Sequence, residues 1–137
     1  MKNWYLLLFI LPFMVSCSND EAEKIADEFH TRLVSEDYDY IIENLTDGTT
    51  SSAEEWGDFF EIVRGWGKQN NRINTSNYNF KTTNGVTTVK LSYTFETDEF
   101  DLMYERLILI DRGDGYKLLT VIMDTDESVV IEGTKNF

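Results

Sequence analysis

From about Asp20 to Val34 the apolar residues Ala22, Ile25, Ala26, Phe29 and Leu33 recur at helical spacing, with charged residues between them. That period predicts an amphipathic helix, capped by Asn19 or Asp20. Ser35-Glu36-Asp37 offers a second N-cap, and Tyr38, Ile41, Ile42 and Leu45 predict a short second helix. Thr46 to Ser51 reads as a loop around Asp47-Gly48. Ser52 is followed three residues later by Glu55, the pattern of a capping box, in which side chain and backbone satisfy each other at a helix start. It opens a third helix carrying Trp56, Phe59, Phe60 and Val63, which ends near Gly65-Trp66-Gly67.

The period then changes. Lys68 to Asn77 is polar and reads as a loop leading to a strand around Tyr78 to Thr82. Asn84-Gly85 is a strong hairpin signal, because both residues tolerate positive φ. Beyond it Val89, Leu91, Tyr93 and Phe95 alternate with Thr88, Lys90, Ser92 and Thr94, so one face is buried and one wet. Leu102 to Ile110 predicts a further strand. Its run Leu107-Ile108-Leu109-Ile110 is apolar on both faces, as in a central or helix-covered strand. Arg112-Gly113-Asp114-Gly115 is the next turn, Tyr116 to Met123 a fourth strand, and Glu127 to Glu132 a short edge strand. Helices first and antiparallel hairpins afterwards imply an α+β fold: N-terminal helices packed on a curved antiparallel sheet of about four strands.

The amino terminus follows a different pattern. Lys2 precedes an apolar block from Trp4 to Val15, then Ser16 and Cys17, the single cysteine of the chain. A charged segment, an apolar segment and a small residue are the marks of a secretory signal. The apolar block is interrupted by Pro12 and falls short of the roughly 20 residues that span a bilayer. Met14-Val15-Ser16-Cys17 resembles the lipobox of bacterial lipoproteins, with Met14 where leucine is usual. The resemblance implies cleavage before Cys17 and acylation of its sulfur, palmitate included. Several acyl chains give stable attachment where one holds only marginally. Ser18, in place of an aspartate, favours the outer membrane, and the acidic residues that follow resemble the surface-export signal of Bacteroidota lipoproteins. The expected organisation is therefore a signal peptide (1–17), a polar tether (18–22) and one domain (23–137).

Composition narrows the function. Without residues 1–17 the chain has 120 residues, room for one compact domain, and no cysteine for disulfide or thiol chemistry. All 25 acids remain, while losing Lys2 leaves 11 of the 12 basic residues, a formal charge of −14. Such a surface repels nucleic acid and anionic membranes and suits cationic partners or simple solubility.

Two segments carry a family likeness. Glu36-Asp37-Tyr38-Asp39 followed by Ile41-Ile42, and Glu105-Arg106-Leu107-Ile108-Leu109 followed by Asp114-Gly115-Tyr116-Lys117-Leu118, resemble small nuclear-transport-factor-2-like (cystatin-like) bacterial lipoproteins. The resemblance implies a cone-shaped fold with a cavity between helices and sheet. Its motifs determine fold and carry no activity. In the family's enzymes an Asp, His or Tyr projects into the cavity. Tyr38, Tyr40, Tyr93, Tyr104 and Asp124 are available, but none aligns to a catalytic motif, and no catalytic role is assigned.

Other candidate chemistry is thin. His30 is the sole histidine, so no imidazole pair exists for a metal, and its position beside Phe29 predicts a half-exposed helix residue. Asp98-Glu99-Asp101 and Asp124-Asp126-Glu127 lack the spacing of a calcium loop and read as turns. Arg112-Gly113-Asp114 reads as turn chemistry too. No cofactor motif is found. Trp66, between two glycines, is the expected non-core aromatic, and with Tyr93 and Tyr104 forms the candidate pocket or partner surface. The expectation is a lipid-anchored envelope protein that binds a small ligand or a protein without catalysis. The alternatives are a small-molecule enzyme on the same cone, or an acidic inhibitor of a cationic enzyme.

Overall fold

A computed structural model describes residues 17–77 and 79–137. Residues 1–16 of the expected signal peptide and Tyr78 of the expected strand lie outside these. The chain is α+β. Helix α1 (Cys17–Val34) is followed by α2 (Tyr38–Tyr40), which widens into a π-helical turn over Ile41–Leu45, and by α3 (Ala53–Gly65). The strands β1 (Asn70–Asn74), β2 (Asn79–Thr83), β3 (Val86–Glu96), β4 (Met103–Asp111) and β5 (Tyr116–Asp124) precede a last helix, α4 (Glu127–Gly133). All strand pairs are antiparallel, and the sheet is open, in the order β1-β3-β4-β5 with β2 also on β3.

The helical period of α1 puts Ala22, Ala26, Phe29 and Leu33 on one buried face. These share a core with Trp56, Phe60 and Val63 of α3 and with the inward residues of β3, β4 and β5. The capping box forms: Ser52 Oγ accepts from Glu55 N–H, and the Glu55 carboxylate accepts from Ser52 N–H. Tyr38 stacks on Phe60 with ring centroids 4.7 Å apart, joining α2 to α3. Tyr40 donates to Glu28 and lies under the Arg32 guanidinium, joining α2 to α1. The π-helical turn ends where Thr46 bridges to Leu118, so the second helical segment docks beside β5.

The hairpin signal holds. Asn84 and Gly85 both take positive φ, at 52° and 78°, which matches the turn to the twist of β2 and β3. Strand β4 is central, as its doubly apolar run implied: Leu107 and Leu109 enter the main core, while Ile108 and Ile110 form a second cluster with Leu119. On that opposite face Arg106 and Lys90 reach α4, where Thr134 Oγ1 accepts from Arg106 Nη1 and Thr134 O accepts from Lys90 Nζ.

Four expectations are corrected. The sheet has five strands rather than about four. The extra one, β1, lies in the polar stretch read as loop, because pairing with β3 decides its conformation where local propensity does not. Glu127 to Glu132, read as an edge strand, is helical: Asp126 Oδ1 caps the Ser128 N–H, and only Val130 of the apolar residues is buried. Residues 18–22, read as a tether, continue α1, whose core contact begins at the fully buried Ala22.

Candidate functional site

One inward position of the sheet is occupied by a charge. Met103, Glu105, Leu107 and Leu109 alternate toward the core, and the Glu105 side chain is fully buried. A lone buried carboxylate is too costly to stay ionised, so its partners decide its state. Two converge on one oxygen. His30 Nε2, from α1, lies 2.8 Å from Glu105 Oε2, and Arg72 Nε, from β1, donates to the same atom at 3.3 Å. Burial pushes the Glu105 carboxyl up, but the charges and hydrogen bonds of His30 and Arg72 outweigh it and hold it below the usual carboxylate range. An ionised carboxylate only accepts, so Nε2 carries the proton of the His30 bond. Glu105 Oε1 is the buried side-chain atom left without a hydrogen-bond partner among the described residues.

Local structure aims these groups. His30 sits one turn after Ala26 on the inner side of α1 and is 9% exposed. The half-exposed residue expected from sequence is therefore corrected to a buried one. Its ring meets Tyr93 edge-on, with centroids 4.6 Å apart. Arg72 owes its inward direction to an irregularity in β1, whose register shifts between Asn70 and Ile73 where Asn71 takes a φ of 52°. Its guanidinium packs over the Phe95 ring, and Nη2 donates to Gln69 at 2.8 Å. Tyr93 is 5% exposed, and burial first, then the nearby carboxylates, push its hydroxyl above the ordinary tyrosine range, keeping it a neutral phenol.

Above this triad, α1 and β1 enclose a groove. One compartment of about 490 Å³ is lined by Glu23, Asp27, His30, Thr31, Arg72, Asn74 and Tyr93. A second of about 410 Å³ is lined by His30, Thr31, Val34, Arg72 and the amide side chains of Gln69, Asn70 and Asn71. Both volumes suit a small molecule. They share His30, Thr31 and Arg72, so the triad marks the middle of the groove.

Of the surface expected from sequence, Trp66, Tyr93 and Tyr104, only Tyr93 belongs to this site. Trp66 is half-buried against Phe100 at the end of α3, and its carbonyl accepts from Glu99 N–H. Tyr104 alternates onto the sheet face opposite Glu105. Tyr38 and Tyr40 serve helix packing, and Asp124 accepts from the Asp126 N–H. The carboxylate clusters act as turn and cap acceptors: Asp98 takes the Lys68 N–H, and a Cβ on Gly67 would collide with it. Arg112 in its turn pairs with Asp47. No group of three or more His, Cys, Asp and Glu among the described residues is placed to hold a metal, and no described helix is long and apolar enough to cross a membrane.

Glu105, His30 and Arg72 were missed as a set because they lie far apart in sequence. The available signal was Glu105 itself, a carboxylate on the apolar face of an alternating strand, which demands cationic partners. Compared with known proteins, the chain matches no family model and no curated protein sequence.

Proposed function

We propose that the chain is an envelope lipoprotein, acylated at Cys17 and held at the outer membrane, whose nuclear-transport-factor-2-like domain binds a small polar ligand without transforming it. The α+β architecture, helices with an open antiparallel sheet, supports that reading, and the groove between α1 and β1 is the ligand site. The observation that carries this reading is the buried Glu105, which fixes His30 and Arg72 at the middle of the groove. A buried ionic cluster stabilises a fold no better than well-packed apolar residues do, so its use here favours a role in recognition.

Native mass spectrometry of the protein extracted gently from its own envelope tests the site. A small molecule should accompany the wild type and be lost from Thr31→Trp, which fills both compartments from an exposed helix position. Equal retention by the two proteins sinks the assignment. Metabolic acyl labelling tests the anchor, since Cys17→Ser should lose both label and membrane attachment. Persistence of either overturns the lipoprotein reading.

A second reading, a small-molecule enzyme, is favoured by the His30–Glu105 bond, since a carboxylate that orients an imidazole is a recurring part of acid–base sites. The retained molecule separates the two. Incubated with the protein it should come back unchanged, and its conversion to a product would establish the enzyme.

A further inference from the structure

The ligand class follows from how the groove distributes charge, and this step rests on the binding reading above. Arg72 is fixed by hydrogen bonds from Nε to Glu105 and from Nη2 to Gln69, while its Nη1 donates to no described residue. A guanidinium so held presents its remaining donors in a set direction, the arrangement that recognises carboxylates. Glu23 and Asp27 line the same compartment from α1, so an ammonium there faces two carboxylates. The two signs of charge stand on opposite walls, one on the helix and one on the strand.

That arrangement discriminates among ligands. A simple carboxylate gains Arg72 but is repelled by Asp27, and a phosphate, with more negative charge, is repelled further. A simple amine meets the carboxylates of α1 but leaves the free donors of Arg72 unused. A sugar would want an exposed aromatic face, yet Tyr93 is nearly buried with the His30 ring against it. An apolar ligand would displace water from the Arg72 and Asp27 charges and return nothing to either. A molecule carrying both charges avoids each of these costs.

We propose that the groove binds a small zwitterion of the free amino acid or dipeptide kind, its carboxylate on Arg72 and its ammonium beside Asp27. Glu105 is then a positioning residue, holding Arg72 and His30 in place for a ligand it does not itself touch.

The test is calorimetric titration of the full chain in detergent micelles with four probes: dialanine, N-acetyl-dialanine, dialanine amide and inorganic phosphate. Dialanine should bind at least about tenfold more tightly than either capped form, and phosphate should bind more weakly than dialanine. Asp27→Asn, at an exposed position, should bring dialanine down to the level of its acetylated form. Arg72→Gln should bring it down to the level of the amide, and Arg72→Lys, which keeps the charge but loses the fork, should fall between. Capped forms or phosphate binding as tightly as dialanine overturn the zwitterion class. If that binding disappears in Thr31→Trp, the groove still stands as a ligand site. Silence from all four probes overturns the class alone when the envelope-derived protein retains a molecule, and overturns both proposals when it does not.

Discussion

The two faces of the sheet both carry buried polar groups, and they are built on opposite terms. On the face toward α4, two cations meet neutral oxygens: Arg106 donates to Ser92 Oγ and Thr134 Oγ1, and Lys90 donates to Thr134 O. Thr134 in turn donates to the Val130 carbonyl, so its hydroxyl both gives and receives. On the face toward α1, an imidazole and a guanidinium crowd one oxygen of Glu105 while the other oxygen has no described partner. The α4 face is a latch whose needs are met locally by a helix end. The α1 face concentrates charge beneath a groove, which a fold in need of stability alone would have filled with another leucine.

The contrast can be broken by substitution, beginning with the largest effect. Glu105→Ala strands His30 and Arg72 and should destabilise the fold by about 3–5 kcal/mol, measured by urea unfolding. A loss under 1 kcal/mol would mean the triad carries little of the α1 face.

Acid titration sharpens the same point. Glu105 has its folded pKa held below the unfolded value, so its contribution is full above the ordinary glutamate range and is lost as pH falls through the folded value. Stability of the wild type should therefore fall more steeply at acid pH than that of Glu105→Gln. Parallel acid limbs would remove Glu105 as the source.

On the other face the effects shrink. Arg106→Ala should cost about 2 kcal/mol, because it removes the donor that the Ser92 and Thr134 hydroxyls share. Thr134→Val, nearly equal in shape, should cost about 1 kcal/mol in the same assay. Neither should alter ligand binding in the groove, and a change in binding from either would show that the two faces are coupled.

Much of this molecule was legible where the determinants are local. The Asn84-Gly85 turn, the Ser52/Glu55 capping box and the alternation of Val89, Leu91, Tyr93 and Phe95 each carry their own physical reason within a few residues. Strand β1 was not legible, because Asn70-Asn71-Arg72-Ile73-Asn74 has no apolar period, and its pairing is dictated by β3 some twenty residues later. Helix α4 misled in the other sense: Val129-Val130-Ile131 favours a strand, but the Asp126 cap and the Thr134 contacts with Arg106 and Lys90 set it as a helix turn on the sheet. The site combined both difficulties. Its members come from a helix, the unforeseen strand and the central strand, so only the assembled fold brings them together.

The continuity of α1 turns an anchor into a ruler. With Cys17 acylated as proposed, the rod that starts at the lipid is the same rod that forms one wall of the groove. At 1.5 Å per residue, His30 lies about 20 Å along the helix axis from Cys17. A tether would let the domain wander over a range of heights. A helix that begins at the attachment point instead restricts how far a captured molecule can stand from the bilayer, so transfer to or from a neighbouring membrane protein becomes a matter of matched reach.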